Sequence, residues 1–375
     1  MRSNYRAIDD LVFRVDERNT DGSIETLVGV SIDKCFIKSV ANTVGTDLTK
    51  YKIIRKKDFA VSLMQVSRDQ KIPVAMQTEY DVAIMSPAYP IFRVKDENEV
   101  MPEYLEMWFK RPEFDREASF IAVGGVRGSM PWEEFSRMKL PVPSINEQKE
   151  IVRSYKAISE RIELKKKIND NLSNMVDTIF YDEFIKECSN KTVSFTDVVQ
   201  LMGGGTPKTE IDEYWNGNIP FFTPKDVSDS PFCLSTEKWL TNEGLNNCSS
   251  RLYPPYTTFV TCRGTVGNLS MAGVPMAVNQ SCYALKGKDG YPPLFIFAFT
   301  RYVIATMKKK ASGAVFSALV TRDFEMEKVF LPDKCDAIHF QNLVYPLFSE
   351  ILSNTKEIQL LTELKVSLLT RLSSR

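Results

Sequence analysis

The residues best placed to contact a ligand are arginines flanked by glycines. Arg263 opens the segment Arg-Gly-Thr-Val-Gly at 263–267, directly after the strand-like run 257–261, so we expect it on a glycine-bounded loop. Arg127 stands among the glycines of residues 124–129. Backbone without side chains could approach a ligand closely there, although residues 124–129 could equally form a turn that leads into Pro131.

Two further polar segments lie in the second half of the chain. Residues 203–209 read Gly-Gly-Gly-Thr-Pro-Lys-Thr, a glycine run followed by lysine and threonine. A phosphate-binding loop needs the spacing GxxxxGK[ST], which this segment lacks, and Pro207 interrupts it, so nucleotide binding is not favoured. Asn279 and Gln280 are adjacent amides, which could hydrogen-bond to adenine or satisfy a buried turn.

The first half carries two basic segments. Residues 50–57 are dense in lysine and arginine, with Tyr51 among them. They form either a solvated strand edge or a strip that faces phosphates. Residues 67–71 read as a polar loop with two cations, Arg68 and Lys71.

Catalysis by this chain alone is not favoured. The single histidine, His339, stands where a helix begins, so neither a histidine-based zinc site nor a histidine-dependent triad is expected. The seven cysteines form no CxxC pair, and their odd number and scatter indicate reduced thiols that pack as small hydrophobic residues. An enzyme acting by itself would need a nucleophile with a base or a metal cluster, and the sequence offers neither constellation.

The charge balance limits how the chain could bind nucleic acid. Its 375 residues include 48 basic and 48 acidic ones, a net charge of zero. A protein that holds a nucleic-acid backbone alone carries an excess of positive charge, so partner proteins must help any DNA binding. The first ten residues lack an apolar signal core and no stretch of about 18 apolar residues occurs, which predicts a cytoplasmic protein.

Two long helices are expected to position these segments. The first opens with Ser144 and Glu147 at the spacing of a capping box. Lys165 and Asn169 interrupt its apolar seam midway, and the pattern predicts one helix up to Phe184, roughly 35 to 40 residues or about 55 Å. The seam recurs in alternating steps of four and three, as in a coiled coil, at Ile151, Tyr155, Ile158, Ile162, Leu172, Val176 and Ile179.

The C-terminal segment repeats this pattern and supplies a partner helix. Gln341 precedes it as Gln148 precedes the first seam, and Leu-Pro precedes both helices at 140–141 and 331–332. Pro346 lies inside the second helix, where we expect it to kink the helix or delay its start. The second seam consists of Val344, Phe348, Ile351, Ile358, Leu361, Lys365, Leu368 and Leu372.

The similarity between the two halves extends through the chain with a period of roughly 190 residues. Each unit is expected to be a globular domain followed by a long helix, with the 43% hydrophobic residues providing a core for each. The segments match in the same order: 58–61 with 258–261, 86–89 with 279–282, 104–109 with 294–299 and 124–126 with 312–314.

The sequence therefore predicts an α+β fold of two globular α/β domains joined by two long antiparallel helices, with pseudo-two-fold symmetry. The domains are placed at 1–143 and 187–332, and the helices at 144–186 and 333–375. Residues 8–15, 27–32, 192–201 and 257–261 read as strands, and Met101-Pro102-Glu103 opens a helix that continues to Phe109.

As a set, these motifs resemble the specificity (S) subunit of Type I restriction-modification systems. The similarity covers essentially the whole chain, as two target recognition domains and two helical regions. The first domain departs from the pattern, because it has Asp-Glu-Arg-Asn at 16–19 and no Gly-Gly-Thr-Pro. The motifs are Gly-Gly-Thr-Pro at 204–207, Trp-x-Gly-x-Ile-Pro-Phe at 215–221, Arg-Gly-Thr-Val-Gly at 263–267, Asn279-Gln280, and the Leu-Pro and Gln before each long helix.

The resemblance implies a non-catalytic subunit whose recognition domains each read one half of a bipartite, asymmetric DNA site. The antiparallel helices would separate the domains and dock two modification subunits. Adenine methylation with S-adenosylmethionine would belong to those subunits, and cleavage with ATP and Mg²⁺ to restriction subunits, so the chain itself would need no cofactor or metal. It carries no methyltransferase Asn-Pro-Pro-aromatic motif and no Walker motif. The residues expected to contact DNA are Arg68, Lys71 and Arg127 in the first domain and Thr206, Lys208, Thr209, Arg263, Thr265, Asn279 and Gln280 in the second.

One alternative remains from another class of protein. A coiled-coil adaptor would use the same helices to join proteins, with globular domains that bind no DNA. Sequence-specific DNA binding in complex with a methyltransferase subunit would distinguish the specificity subunit from this adaptor.

Overall fold

The computed structural model describes residues 4–39, 46–124, 128–186, 192–310 and 318–372. It divides into two compact units. Unit 1 comprises Met1–Glu160 with Leu361–Arg375, and unit 2 comprises Arg161–Leu360.

The globular part of unit 1 is built on a four-stranded antiparallel sheet. In chain order its elements are β1 (Tyr5–Ala7), α1 (Ile8–Leu11), β2 (Val12–Val15), β3 (Val28–Val30), β4 (Phe36–Lys38), β5 (Lys52–Arg55), β6 (Phe59–Val61), α2 (Val66–Asp69), β7 (Val74–Met76), β8 (Val82–Met85), β9 (Ile91–Val94), α3 (Pro102–Phe109), α4 (Pro112–Ile121), α5 (Trp132–Arg137) and β10 (Lys139–Pro141). The main sheet has the order β2-β9-β6-β7, and three antiparallel pairs accompany it: β1-β10, β3-β4 and β5-β8.

Packed aromatic rings form the core of unit 1. Phe59 of β6 stacks on Phe92 of β9 with ring centroids 5.2 Å apart, and Phe109 of α3 meets both rings edge to face. Phe114 and Phe135 complete the cluster. Removing each such side chain from water contributes about 1.5–3 kcal/mol, so this cluster holds the sheet against the helices.

Unit 2 repeats that arrangement. The long helix α6 (Ile145–Phe184) precedes its globular part, whose elements are β11 (Thr192–Ser194), α7 (Phe195–Val198), β12 (Val199–Gly203), β13 (Trp215–Phe222), β14 (Phe232–Cys233), β15 (Lys238–Leu240), α8 (Asn242–Asn246), β16 (Thr258–Thr261), β17 (Leu269–Ala272), β18 (Ala277–Val278), β19 (Cys282–Gly287), α9 (Pro293–Lys310), α10 (Thr321–Met326) and β20 (Lys328–Phe330), followed by α11 (Lys334–Arg371). The sheet order β12-β19-β16-β17-β14 reproduces the order of unit 1 and adds β14 in parallel, while β15-β13-β18 and β11-β20 form separate sheets. The predicted duplication is confirmed at the level of strand order.

In both units, a one-turn helix lies within a segment that the sequence analysis predicted to be a continuous strand. Residues 8–15 and 192–201 do not form continuous strands, because α1 and α7 interrupt them. In each turn two apolar residues three positions apart are buried, as Phe195 and Val198 are in α7. An aspartate at the third helical position accepts a hydrogen bond from the capping backbone N–H, Asp10 from Ala7 at 3.2 Å and Asp197 from Ser194 at 2.9 Å.

The first long helix has the predicted extent. It runs for 40 residues, and the predicted capping box is present, since Ser144 N–H donates to Glu147 at 3.1 Å and Glu147 N–H donates to the Ser144 hydroxyl at 3.4 Å. Val176 of its predicted seam is buried in the core of unit 2 together with Phe180 and Phe184, whereas Leu172 and Ile179 of the seam are partly buried against that core. The helix is therefore an integral part of the unit and not an appendage.

The second long helix begins before its proline. Asp333 caps α11 by accepting a hydrogen bond from the Cys335 N–H at 2.7 Å, and Pro346 lies within the continuous helix. The expected delay of the helix start was wrong, because the cap fixes that start well upstream of the proline. Strand register also shows that Pro332 corresponds to Pro143 and not to Pro141, since β20 ends at Phe330 as β10 ends at Pro141.

A polar layer joins the two long helices within unit 2. The Lys165 ammonium donates to the Asn354 side chain at 2.6 Å and lies 3.1 Å from Glu357. Asn354 in turn donates to the Asn169 side chain at 3.0 Å, and both amides are buried. Since rising numbers on α6 meet falling numbers on α11, the helices run antiparallel here, as predicted.

Candidate nucleic-acid interface

Strand register brings three loops of unit 2 to one end of its main sheet. Gly203, at the end of β12, pairs with Tyr283 of β19, and Thr261, at the end of β16, pairs with Cys282. The segments 204–209, 262–268 and 279–281 therefore leave the sheet side by side. All three were singled out in the sequence, which did not reveal that they are neighbours.

The glycine run packs tightly against the strand that precedes Asn279. A Cβ added to Gly204 would overlap with the backbone carbonyls of Val278 and Asn279, and Gly205 N–H donates to the Val278 carbonyl at 3.1 Å. The glycines thus serve close backbone packing, not phosphate binding. Their packing places Thr206, whose hydroxyl donates to the Gln280 side chain.

Asn279 and Gln280 occupy different environments. Asn279 is half-buried, and its side-chain oxygen accepts a hydrogen bond from the Ser281 N–H at 3.0 Å, which is the turn-forming role. Gln280 is exposed. Of the two amides, Gln280 is the better placed to contact a ligand.

Arg263 extends from a rigid turn. The Thr261 hydroxyl donates to the Thr265 carbonyl, and Gly267 N–H donates to the Thr261 carbonyl at 2.8 Å, which closes the turn between β16 and β17. Gly264 and Gly267 have φ of +78° and +74°, values that favour glycine. Within the described part of the chain the Arg263 side chain has no hydrogen bond or ion pair, and it is exposed.

The same turn holds Thr265 and a lysine that the sequence analysis missed. The Thr265 hydroxyl donates to the Pro224 carbonyl at 3.4 Å, and the Lys308 ammonium donates to the Gly267 carbonyl at 3.1 Å. The lysine run 308–310 at the end of α9 was the available signal. We call Thr206, Arg263, Thr265, Gln280 and Lys308 the loop surface.

Lys208 and Thr209 are exposed beside this surface. The Lys208 carbonyl accepts a hydrogen bond from the Trp215 ring N–H at 3.3 Å, and the Thr209 hydroxyl donates to Glu210 at 3.3 Å. No hydrogen bond of the described residues joins either side chain to the Thr206–Gln280 pair. The Lys208 side chain is exposed, and the cation that lies over the Trp215 ring is the Lys238 ammonium, 5.4 Å from the ring centroid.

The corresponding end of the sheet in unit 1 carries Arg68 and Lys71. Both lie in the connection from β6 to β7, the counterpart of the connection from β16 to β17 that carries Arg263. The Arg68 side chain is 64% exposed and pairs with Asp69 at 2.8 Å, while Lys71 lies 3.8 Å from Asp33. The predicted pair therefore lies together on an exposed connection, already bound to acidic side chains.

Arg127 lies outside the described residues, as do the segments 125–126 and 312–314 that were matched between the halves. Its neighbour Gly128 has φ +71°, and a Cβ there would overlap with the Ser67 hydroxyl. Gly128 thus packs against the connection that carries Arg68.

The basic run 50–57 is neutralised by acidic side chains. Lys52 is buried, donates to the Tyr89 carbonyl at 3.0 Å and lies 3.5 Å from Asp16. The other cations are paired as well: Lys50 with Asp47, Arg55 with Glu17, Lys56 with Asp81 and Lys57 with Glu97. This pairing favours the structural interpretation over a strip that faces phosphates.

The thiols beneath the loop surface are poor nucleophiles. Burial raises the pKa of Cys262 to about 12 and raises that of Cys282 further above its ordinary value. Both thiols therefore stay protonated at neutral pH, as expected of small buried hydrophobic residues. Cys233 is buried as well, but Cys35 and Cys335 are exposed, so the expectation of buried cysteines was wrong for those two. Among the described residues, no group of three metal-binding side chains occurs, and no helix is long and apolar enough to cross a membrane.

Comparison with known protein families shows which family model the sequence matches. The family model described as Type I restriction modification DNA specificity domain matches the sequence twice, over residues 38–174 and 189–364. The chain is 31% identical over 127 residues to the MjaIX specificity subunit of Methanocaldococcus jannaschii, covering 33% of this chain and 29% of that protein. It is 29% identical over 182 residues to the HindI specificity subunit of Haemophilus influenzae, covering 48% and 40%.

These matches span less than half the length of either relative. A solved structure agrees over a greater length: the S subunit of a Type I restriction-modification system from M. genitalium is 14% identical, with a TM-score of 0.57, and the match covers 98% of this chain and 95% of that one. At this identity the likeness concerns the fold alone.

Proposed function

The chain belongs to the family of Type I restriction modification DNA specificity domains, and from that premise we propose that it is the DNA sequence-recognition subunit of a Type I restriction-modification enzyme. Each unit would read one half of a bipartite, asymmetric site. The chain would act as a non-catalytic component, since the thiols next to its loop surface, Cys262 and Cys282, are buried and the described residues contain no group of three metal-binding side chains.

The observation that carries this proposal is the loop surface of unit 2. It combines an arginine without a hydrogen bond or ion pair to any described residue, an exposed amide, two hydroxyls and a lysine at one end of the sheet. Arginine and glutamine are the side chains that form bidentate hydrogen bonds with guanine and adenine in the major groove. A rigid turn also limits the entropy that Arg263 must lose on binding, because its backbone is already fixed by Thr261 and Gly267.

The equivalent connection in unit 1 supports the bipartite site. Arg68 and Lys71 occupy the same connection in the sheet as Arg263 does in unit 2. Arg68 and Lys71 are paired with Asp69 and Asp33, whereas Arg263 has no ion pair among the described residues, so the two units would read different half-sites. Arg127 would join them from the adjoining glycine segment.

Partner subunits would supply what this chain lacks. Its net charge of zero is unfavourable for neutralising a DNA backbone, so modification subunits would share the phosphate contacts. S-adenosylmethionine would bind those subunits, and ATP and Mg²⁺ the restriction subunits. The long helices offer docking positions, because they leave large apolar side chains exposed: Leu164, Met175, Tyr181, Ile338, Leu343, Tyr345, Leu360 and Leu364.

The test is DNA binding by the chain with and without its modification subunit. We expect specific binding only in the complex, and we expect Arg263→Ala to weaken it by about 1–3 kcal/mol and to relax one position of the site. Lys288→Ala is the matched control, because Lys288 lies at the far end of β19 and its loss removes the same charge. Affinity should be measured on the site and on single-base variants at two salt concentrations.

Two results would contradict the proposal in different ways. Unchanged affinity, salt dependence and specificity in Arg263→Ala would assign a structural role to the loop. The absence of specific binding in either the free chain or the complex would favour the adaptor.

A further inference from the structure

A buried glutamine fastens the first turn of α6 to the globular part of unit 1. Gln148 is fully buried, and its side-chain oxygen accepts a hydrogen bond from the Met101 N–H at 2.9 Å. Its side-chain nitrogen donates to the carbonyls of Glu99 and Pro143, each at 2.9 Å. One side chain thus joins the segment before α3, the segment before α6, and α6 itself.

Unit 2 contains a related contact on its own long helix, one turn further from the helix start, since Gln148 is the fourth residue of α6 and Gln341 the eighth of α11. The Gln341 side chain of α11 accepts a hydrogen bond from the Leu294 N–H at 2.9 Å, in the first turn of α9. A tyrosine hydroxyl donates to a carbonyl near the start of the long helix in each unit, Tyr104 to Pro141 at 3.0 Å and Tyr291 to Pro332 at 2.7 Å. The glutamine contact therefore occurs in both units, whereas the two tyrosines accompany it at different positions, because Pro141 corresponds to Phe330 and not to Pro332.

The chemistry explains why a glutamine stands there. The first N–H groups of a helix have no partner within it, and a long amide can satisfy one of them while donating elsewhere. A buried amide that makes three hydrogen bonds to separate segments fixes their relative orientation, because any rotation would leave polar groups unsatisfied.

We propose that Gln148 and Gln341 are positioning residues that set the orientation of each globular domain on its own long helix. This rests on the proposed function in one respect: in a bipartite reader, that orientation determines which spacer length between half-sites is accepted. Neither glutamine touches DNA. Gln148 makes three of these hydrogen bonds and Gln341 one, so the effect of losing Gln148 is the larger.

The test uses Gln148→Met and Gln341→Met, which keep side-chain length and remove the hydrogen bonds. Hydrogen exchange in the full chain should accelerate at least tenfold at the Met101 amide in the first variant and at the Leu294 amide in the second. Lys149→Ala, at the exposed neighbouring position, should change neither amide. Unchanged exchange at Met101 in a folded Gln148→Met chain would overturn the proposal without any reference to DNA.

The second measurement is methylation by the complex with modification subunits. Duplexes would carry the native spacer, one base pair fewer, or one more. Gln148→Met should lower the preference for the native spacer about tenfold and leave discrimination against base mismatches in either half-site unchanged. A merely structural role would lower every rate alike, and that result would overturn the proposal.

The two failures are distinguishable. If the wild-type complex methylated no specific site, the proposed function would fall, together with the link to spacer length, while the exchange result would still decide the positioning role. If Gln148→Met did not fold, Gln341→Met, which loses a single hydrogen bond, would decide both measurements.

Discussion

A buried lysine illustrates how individual residues hold the connection from β6 to β7 in place. The Lys34 side chain is 6% exposed, lies 2.7 Å from Asp115 and donates to the Phe109 carbonyl at the end of α3. Asp115 also accepts a hydrogen bond from the Ile72 N–H at 3.0 Å, next to Lys71. The ion pair therefore links α3, α4 and the start of β7.

We predict that Lys34→Met destabilises the protein by about 3 kcal/mol at pH 7, because Asp115 is left as a buried charge without its partner. Burial lowers the pKa of Lys34 below its ordinary value of 10.5, and its hydrogen bond with Asp115 opposes this only in part. Between the pKa of Lys34 in the folded protein and 10.5, the unfolded chain binds more protons than the folded chain. The free energy of unfolding of the wild type should therefore increase as pH rises through this interval, and this increase should be absent in Lys34→Met. Urea unfolding at pH 7 and pH 10 measures both, with exposed Lys56→Met as the control; equal pH slopes in wild type and Lys34→Met would contradict the assignment.

At this scale the sequence supplied the candidates and the structure supplied their proximity. Arg263 and Thr206 stood out by their neighbouring glycines and Gln280 by the adjacent amide of Asn279, but only strand register brings positions so far apart in the chain together. Lys308 was missed because a lysine run at the end of a helix ordinarily indicates a solvent-exposed surface. The pairing of residues 50–57 could not be predicted, since their acidic partners come from four different segments.

Among the elements, the long helices depend on a polar layer that interrupts an apolar seam. Lys165 and Asn169 were recognised as interruptions from the pattern, because periodicity is local information. Their partners Asn354 and Glu357 were not recognised, because an apolar seam on one helix does not reveal how the two helices are aligned with each other. A buried amide pair satisfied in one alignment alone is a known means of fixing helix register.

We predict that the two asparagines are energetically coupled. Asn354→Leu alone should cost about 1–3 kcal/mol, since the Asn169 side-chain oxygen loses its donor in a buried position. Asn169→Leu combined with Asn354→Leu should recover the part of that loss that comes from the Asn169 amide, because replacing both partners by apolar groups is nearly neutral, while Lys165 keeps Glu357 at 3.1 Å as its partner. A double-mutant cycle by thermal unfolding measures the coupling, and strictly additive effects would mean that the two amides act independently.

For the whole molecule, duplication predicts separable readers. Exchange of residues 1–143 for the corresponding segment of a relative should change one half-site and preserve the other, because the segment carries its own sheet and its own connection from β6 to β7. Residues 144–160 and 361–375 should be kept, since Ile151, Tyr155, Leu369 and Leu372 pack in the core of unit 1. Sequencing of methylated sites in a host that expresses the complete system gives the answer, and a change in both half-sites would show that the readers are not independent.

The order of the repeats, both long helices and the family were predicted correctly, because motif order and helical periodicity are written along the chain. The one-turn helices α1 and α7 were not, because four residues are too few to distinguish a helical turn from an alternating strand. The contribution of Leu369 and Leu372 to unit 1 also escaped prediction. A pattern of apolar positions identifies a buried face without identifying what covers it.

Unit 2 is one continuous stretch of chain, whereas unit 1 takes its final segment from beyond residue 360. During translation the ribosome would therefore release every residue of unit 2 before it releases Leu369 and Leu372. The half of the protein that is made first would complete its core last, and a nascent chain that has emerged from the ribosome only as far as residue 360 would hold a complete unit 2 and a unit 1 whose apolar core still lacks Leu369 and Leu372.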